Sequence, residues 1–218
     1  MDKIFPMKSA DWDIRLRQEL INSLTHGFGI LFGIISIPIL VSQAVKNENP
    51  EGTVGAAIYG FSFLMVFTFS TLYHGFQHEK VKRLMKIFDH ISIYYLIAGT
   101  YTPFLLIYMN NRMGITLLII LWTLTFLGTI YKCFFTGRWE IFSTIIYLAM
   151  GWIMLAAGKS FFANMPDAVI ALILTGAGLY TFGVIFYLRE KHIYSHAVWH
   201  SFVLAAAICH YVAILLAV

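Results

Sequence analysis

The chain has 218 residues, of which 59% are hydrophobic and 12% are charged. Soluble domains carry about 25% charged residues, so this composition excludes an ordinary soluble protein and indicates one multi-span membrane domain over residues 1–218. The net charge of +4 does not call for a nucleic-acid partner, because the positions of the basic residues along the chain account for it.

Seven apolar stretches are long enough to cross a bilayer. Twelve basic residues lie on the side of the N-terminus, whereas Lys46, Arg112 and Lys159 lie on the opposite side. Basic residues favour cytoplasmic loops. We therefore predict an all-α membrane protein, a bundle of seven transmembrane helices in the cell (plasma) membrane, with a cytoplasmic N-terminus and the C-terminus outside. The predicted spans cover residues 22–44, 54–76, 88–109, 113–132, 141–158, 164–188 and 196–217.

A charged segment, residues 1–21, precedes the first span as a cytoplasmic amphipathic lead-in. It is too charged for a cleavable signal peptide, so we expect the first span to act as the targeting signal. Glu19, Asn22 and His26 recur at intervals of three and four and fall on one stripe of a helix. Taken alone, this stripe favours a polar face at the water interface over the alternative, a hydrogen-bonded layer beneath a functional site.

The second span ends with Ser70 and His74, which are four residues apart and share a helix face. Taken alone, His74 is as readily an interfacial histidine as a metal ligand. The third span is predicted to open at Asp89, where a carboxylate either caps the helix or meets a cation. His78 and His90 lie close to these residues, and spacing alone does not separate His74 from His78 or Asp89 from His90.

The last span opens with His196 and His200, which also share one helix face. Ionisable groups at the mouth of a membrane span are costly unless they have partners. His210 lies ten residues beyond His200, about 15 Å along the helix and rotated by about 80°. We therefore expect His210 to be a core histidine that bonds to a neighbouring span.

Other features indicate architecture. Gly176, Gly178 and Gly183 in the sixth span allow neighbouring helices to approach closely. The only cysteines, Cys133 and Cys209, are too few for a disulfide framework and are expected to be free thiols. The Arg138-Trp139-Glu140 segment is typical of an interface anchor, and Lys132 counts among the cytoplasmic basic residues.

The predicted topology places His74, Asp89, His196 and His200 at the cytoplasmic ends of their helices and at comparable depth. Three imidazoles and a carboxylate form the ligand set of a catalytic zinc ion, whose bound water has a pKa of about 7. Asp89 could bind the metal directly or hold that water as a general base. Ser70 could orient a ligand or donate a hydrogen bond to a developing oxyanion.

Together, these motifs resemble those of the hemolysin III family, the bacterial branch of the progestin and adipoQ receptor (PAQR) superfamily that includes the adiponectin receptors. The resemblance covers essentially the whole chain and implies seven spans with the N-terminus inside. It also implies a zinc ion bound by His74, His196 and His200, with Asp89 binding through water, and so prefers His74 to His78 and Asp89 to His90. The matching motifs are Glu19-x-x-Asn22-x-x-Thr25-His26, Ser70-x-x-x-His74, Asp89 and His196-x-x-x-His200.

The resemblance implies three alternative functions. The first is a zinc-dependent hydrolase of lipid amides, similar to a ceramidase, with Asp89 and Ser70 as catalytic residues and a ceramide-like membrane lipid as substrate. The second is cytolysis by pore formation, from which the family takes its name. The third is a non-enzymatic role in sensing or maintaining membrane lipids, with zinc as a structural link between spans.

Overall fold

The computed structural model describes residues 9–189 and 193–218, with side chains from residue 14 onward in the first segment. Lys3, Lys8 and Lys191, which contribute to the predicted charge asymmetry, lie outside the described residues. Within the described part, seven helices are long and apolar enough to cross a membrane, as the sequence predicts. The protein is therefore a multi-pass, all-α membrane protein.

Helix bounds follow polar capping residues at several loops. The Asn49 side chain accepts a hydrogen bond from the Gly52 N–H at 2.7 Å and starts one helix, with Pro50 in its first turn. Asn111 accepts hydrogen bonds from the Met113 and Gly114 N–H groups and starts another. The helices of the described residues are α1 (Ser9–Lys46), α2 (Pro50–Gly75), α3 (Glu79–Tyr108), α4 (Arg112–Phe135), α5 (Glu140–Gly151), α6 (Met154–Ala157), α7 (Lys159–Phe162), α8 (Asp167–Tyr187) and α9 (Ser195–Ala217).

Two helices differ from the sequence prediction at their N-terminal ends. Helix α1 runs without a break from Ser9, so the described part of the lead-in is continuous with the first span. Helix α3 begins at Glu79, within the basic loop, and His78 is its N-cap residue. The prediction that Asp89 opens this helix is therefore wrong, and the capping role considered for Asp89 is excluded, because the carboxylate lies ten residues inside α3.

The helices pack in an order that leaves internal space. Helix α2 packs along α1 and α3, α3 also packs on α4, and α8 packs along α9. Helix α9 closes the bundle against α1, whereas α5 touches α3 and α8 over short stretches only. The loosely packed region between α3, α5, α8 and α9 contains the cavity described below.

Close helix packing accounts for two of the three glycines singled out in α8. A Cβ atom on Gly176 would lie 2.3 Å from His210 Nε2, and one on Gly183 would lie 2.7 Å from Trp199 Cε3. These glycines let α8 approach α9, as predicted. The same expectation for Gly178 is wrong, because a Cβ atom there would meet no described atom within 4 Å.

Candidate metal centre

Three histidines from two helices converge at one end of the bundle. His74 lies in the last turn of α2, and His196 and His200 lie in the first two turns of α9. Their ring centroids are 4.5 Å apart for the α9 pair, and His74 lies 5.1 Å and 5.0 Å from His196 and His200. One nitrogen from each ring lies within 4.8 Å of the other two, so the three residues are placed to hold a metal ion.

The distance between one pair of these nitrogens fits a shared metal ion. His200 Nε2 lies 3.1 Å from His74 Nε2. Two nitrogens bound to one zinc at 2.0–2.1 Å would be separated by about 3.3 Å. His74 and His200 are 4% and 3% exposed, so their ring nitrogens point into a buried space rather than into solvent.

Glu19 of α1 fixes the orientation of the His74 ring. Its Oε2 lies 2.7 Å from His74 Nδ1. A carboxylate only accepts hydrogen bonds, so the Nδ1–H of His74 donates and its Nε2 presents a lone pair toward the other two imidazoles. Glu19 Oε1 lies 2.8 Å from Lys82 Nζ, a close ion pair that is not aligned as a hydrogen bond.

The stripe of Glu19, Asn22 and His26 faces the bundle. Asn22 and His26 are 6% and 2% exposed, whereas Leu20 and Leu24 on the opposite side of α1 are 57% and 56% exposed. The simpler interpretation, a polar face at the water interface, is therefore wrong for the buried members of this stripe. The polar layer lies directly beside the histidine cluster.

His26 packs against the cluster rather than joining it. Its ring centroid lies 3.8 Å from that of His200 in an edge-on arrangement, and 4.9 Å from that of Phe67. Neither ring nitrogen of His26 has a hydrogen-bond partner among the described residues. His26 therefore supports one face of the His200 ring through packing.

Asp89 lines the same cavity as the three histidines and is 8% exposed. Within the described residues, it is not part of the group whose ligand atoms lie within 4.8 Å of one another. The absence of Asp89 from this group argues against its direct binding to an ion held by the three histidines. Ser70 is fully buried, and its side chain interacts with that of Asp89.

The structure separates the histidines that sequence spacing left ambiguous. His78 is exposed at the N-terminal end of α3. His90 is buried, but its Nδ1 lies 3.4 Å from Lys132 Nζ and 3.5 Å from Glu140 Oε1, in a different polar cluster. The core position predicted for His210 is confirmed, because its Nε2 lies 3.2 Å from the Ile173 carbonyl oxygen of α8.

A buried ion pair next to the site was missed by sequence reasoning. Lys132 is fully buried, and its Nζ donates to Glu140 Oε2 at 2.8 Å. Glu140 Oε1 accepts from the Gly137 N–H at 2.8 Å. Neither the count of Lys132 among the cytoplasmic basic residues nor the assignment of Glu140 to an interface anchor predicts this pair. The available signal was the placement of opposite charges on either side of a short glycine-containing turn between two spans.

A cavity of about 500 Å³ connects the histidine cluster to the bundle interior. At one end it contains the cluster and Asp89. Farther from the cluster its walls are mainly apolar and include Phe104, Phe161, Ile173 and Ala177. The cavity therefore combines a polar end with an apolar body, as an amphiphilic ligand requires.

Comparisons with known proteins agree with this architecture. The sequence model of a family described as Haemolysin-III related matches residues 14–211. Hemolysin-3 of Bacillus cereus is 43% identical over 192 residues, which cover 88% of each chain. Hemolysin-3 homolog of Bacillus subtilis (strain 168) is 41% identical over 88% of this chain and 90% of its own. Monocyte to macrophage differentiation factor of Homo sapiens is 28% identical over 88% of this chain and 81% of its own. The chain therefore belongs to the haemolysin-III related family.

Proposed function

We propose that the protein is a zinc-dependent hydrolase of lipid amides, with a ceramide-like membrane lipid as substrate. The observation that carries this proposal is the position of the His74, His196 and His200 cluster at the polar end of a largely apolar cavity. Such a cavity suits a lipid whose polar linkage lies at the cluster and whose acyl chain lies in the bundle interior.

Zinc suits the donor set of this site. Neutral imidazoles are favoured ligands of zinc, and three protein ligands leave one position open, as in catalytic sites. Glu19 gives His74 the tautomer that metal binding requires. The close approach of His74 Nε2 and His200 Nε2 is also stabilised when both lone pairs face one cation.

Side chains of the cavity supply the remaining chemistry. A bound zinc ion would polarise the amide carbonyl and lower the pKa of water to about 7. Asp89 accepts a proton from the attacking water and returns it to the leaving amine as the carbon–nitrogen bond breaks. The buried Ser70 hydroxyl, which lies beside Asp89, donates a hydrogen bond to the substrate oxygen. The products are a fatty acid and an amine.

The charge asymmetry of the sequence gives the orientation in this proposal. Basic residues cluster at the end of the bundle that contains the histidines, so we place this end and the N-terminus on the cytoplasmic side. A lipid of the inner leaflet would then have its headgroup linkage at the depth of the cluster.

A structural role of zinc is a second candidate, and helix packing favours it. His74 belongs to α2 and the other two histidines belong to α9, yet these helices touch each other over a very short stretch. A shared metal ion would join them directly. In this alternative, the protein senses or maintains the lipid state of the membrane without turnover.

Metal content and amide hydrolysis together test the proposal. The detergent-purified protein is expected to contain about one zinc per chain, and His74→Ala and His196→Ala are expected to lose it, because each removes one of three ligands. The matched control, His78→Ala, removes an exposed histidine near the cluster and should retain the metal. Melting temperatures are recorded in parallel.

Hydrolysis of a fluorescent short-chain ceramide then separates the two candidate roles. The wild type should release fatty acid, and Asp89→Asn should retain zinc while losing turnover by at least about 100-fold, the range of general acid–base catalysis. A wild type that binds zinc and hydrolyses no ceramide would support the structural role. A wild type that carries no zinc after zinc-supplemented purification would contradict both.

A further inference from the structure

A second pocket adjoins the mouth of the lipid cavity. It has a volume of about 440 Å³ and shares Arg15, Glu19, Tyr73 and Lys86 with the main cavity. Shared wall residues make the two spaces neighbours, and the side chains between them contact both. We call this second pocket the vestibule. Its charged lining residues are Arg15, Glu19, Glu79, Lys82, Arg83 and Lys86.

Among the described residues, positive charge in the vestibule is only partly compensated. Both carboxylate oxygens of Glu19 are already engaged, one by His74 and the other by Lys82. Lys82 Nζ also lies 5.0 Å from the ring centroid of Tyr73. Glu79 lies four residues before Arg83 on α3, and its negative charge reduces the net positive charge of the vestibule. No ion pair with an acidic side chain of the described residues engages Lys86.

Lys86 is placed to contact a ligand that occupies both spaces. It is half-buried and lies three residues before Asp89 on α3, about one turn away on the same side of the helix. A Cβ atom on Gly137 would lie 3.9 Å from Lys86 Nζ, so the ammonium group lies beside the turn between α4 and α5. The charge lies near both Asp89 and His196.

We infer that the vestibule binds a phosphate group on the headgroup of the lipid, with Lys86 as the specificity-determining contact. This inference rests on the proposed function for the position of the lipid chain in the main cavity. Basic residues are common at cytoplasmic helix ends, where they contact bulk anionic lipid. Lys86 differs from such residues because it lines both pockets beside the candidate reaction site. Phosphate offers several anionic oxygens to a lysine ammonium group.

The test compares two lipids that differ only in the phosphate. Binding of a short-chain ceramide 1-phosphate and of the corresponding ceramide is measured on the full-length, zinc-loaded protein in a non-ionic detergent. The wild type should bind the phosphorylated lipid about tenfold more tightly, a typical effect of one charge-assisted contact. Lys86→Ala should lose this preference, and Lys86→Arg should keep most of it.

Lys80→Ala is the matched control. Lys80 is an exposed basic residue of α3 that lines neither pocket, so its removal should leave the preference unchanged. Equal loss in Lys80→Ala and Lys86→Ala would overturn the inference, because bulk electrostatic attraction would then explain the binding. Tight binding of inorganic phosphate alone would also overturn it, because the lipid would not be the source of the anion.

Hydrolysis is recorded separately from binding. A preference for the phosphorylated lipid without turnover of either lipid would support the vestibule and contradict the proposed enzymatic function. Turnover of the neutral ceramide without any preference for phosphate would support the proposed enzymatic function and contradict phosphate binding in the vestibule.

Discussion

Glu19 connects the first helix to the candidate metal centre through a hydrogen bond to His74. Its carboxylate binds His74 through one oxygen and Lys82 through the other. A carboxylate behind a metal-binding histidine fixes the ring tautomer and makes the facing nitrogen a better donor. The amino-terminal helix therefore acts on the site without contributing a ligand to the three-histidine cluster.

Replacing Glu19 with glutamine should weaken metal binding while preserving the shape of the side chain. We expect zinc affinity to fall by about 10–100-fold, as for other residues behind metal ligands, measured by competition with a chromogenic chelator. Lys82→Gln is the control, since it breaks the Glu19–Lys82 pair but leaves the Glu19–His74 contact. An equal loss of affinity in both variants would show that Glu19 acts through Lys82 rather than through His74.

Residue spacing predicted which side chains share a helix face, but not the direction of that face. Glu19, Asn22 and His26 form a stripe by helical periodicity alone. Whether the stripe faces water or the bundle depends on how α1 packs between α2 and α9, which is a tertiary property. The same limit applies to His74 and His78, where the burial of the first and exposure of the second follow from the end of α2 at Gly75.

The junction between α4 and α5 depends on a buried ion pair. Lys132 lies in the last turn of α4 and Glu140 begins α5, and their contact holds the turn beside His90. Removing one partner of a buried pair leaves the other charge uncompensated and strongly lowers the free energy of unfolding. Replacing both partners with uncharged residues costs much less. Glu140 retains 28% exposure of its side chain, so part of this cost is relieved by solvent.

Lys132→Met should therefore destabilise the protein by about 3 kcal/mol, the lower end for broken buried pairs. The melting temperature in detergent should fall by on the order of 10 °C. The double variant Lys132→Met, Glu140→Gln should recover much of this loss because neither residue is charged. Arg138→Met, in the same turn but exposed, serves as the control and should change the melting temperature little. A double variant as unstable as the single one would contradict the ion-pair explanation.

Hydropathy predicted the spans well and the helix ends poorly, and α3 shows why. The apolar run that marks the membrane begins near residue 88, whereas hydrogen-bonded helix continues outward to Glu79 through charged residues. Hydropathy indicates which residues lie in the bilayer, whereas a helix can continue beyond the bilayer into water. Hydropathy consequently places Asp89 at a helix terminus, whereas Asp89 is a buried residue inside α3. The sequence does not predict the Lys132–Glu140 pair for a related reason. A charged residue near the end of a span has the pattern of a loop residue, and its burial depends on tertiary packing.

At the scale of the whole molecule, the internal cavity couples the helix arrangement to substrate choice. Tyr187, the last residue of α8, lies beside His196, with ring centroids 6.3 Å apart. Ala177 lines the cavity ten residues earlier on the same helix, about 15 Å deeper in the bundle. The cavity follows from the sparse contacts of α5 with its neighbours, a feature that apolar patterning in the sequence does not reveal.

Filling the cavity at the level of Ala177 should change the acyl-chain length that the protein prefers in its substrate. Ala177→Leu places a larger side chain in the cavity wall, so turnover of an N-palmitoyl amide should fall by about tenfold or more relative to an N-hexanoyl amide, the scale of a pocket that excludes several methylenes. Ala171→Leu adds the same side chain to an exposed position of α8 and should leave the ratio unchanged. Comparing the two rates on each variant cancels differences in protein folding or zinc content. If Ala177→Leu slowed both substrates equally, the apolar part of the cavity would not be the acyl-chain site, and the lipid would have to enter the cluster from another direction.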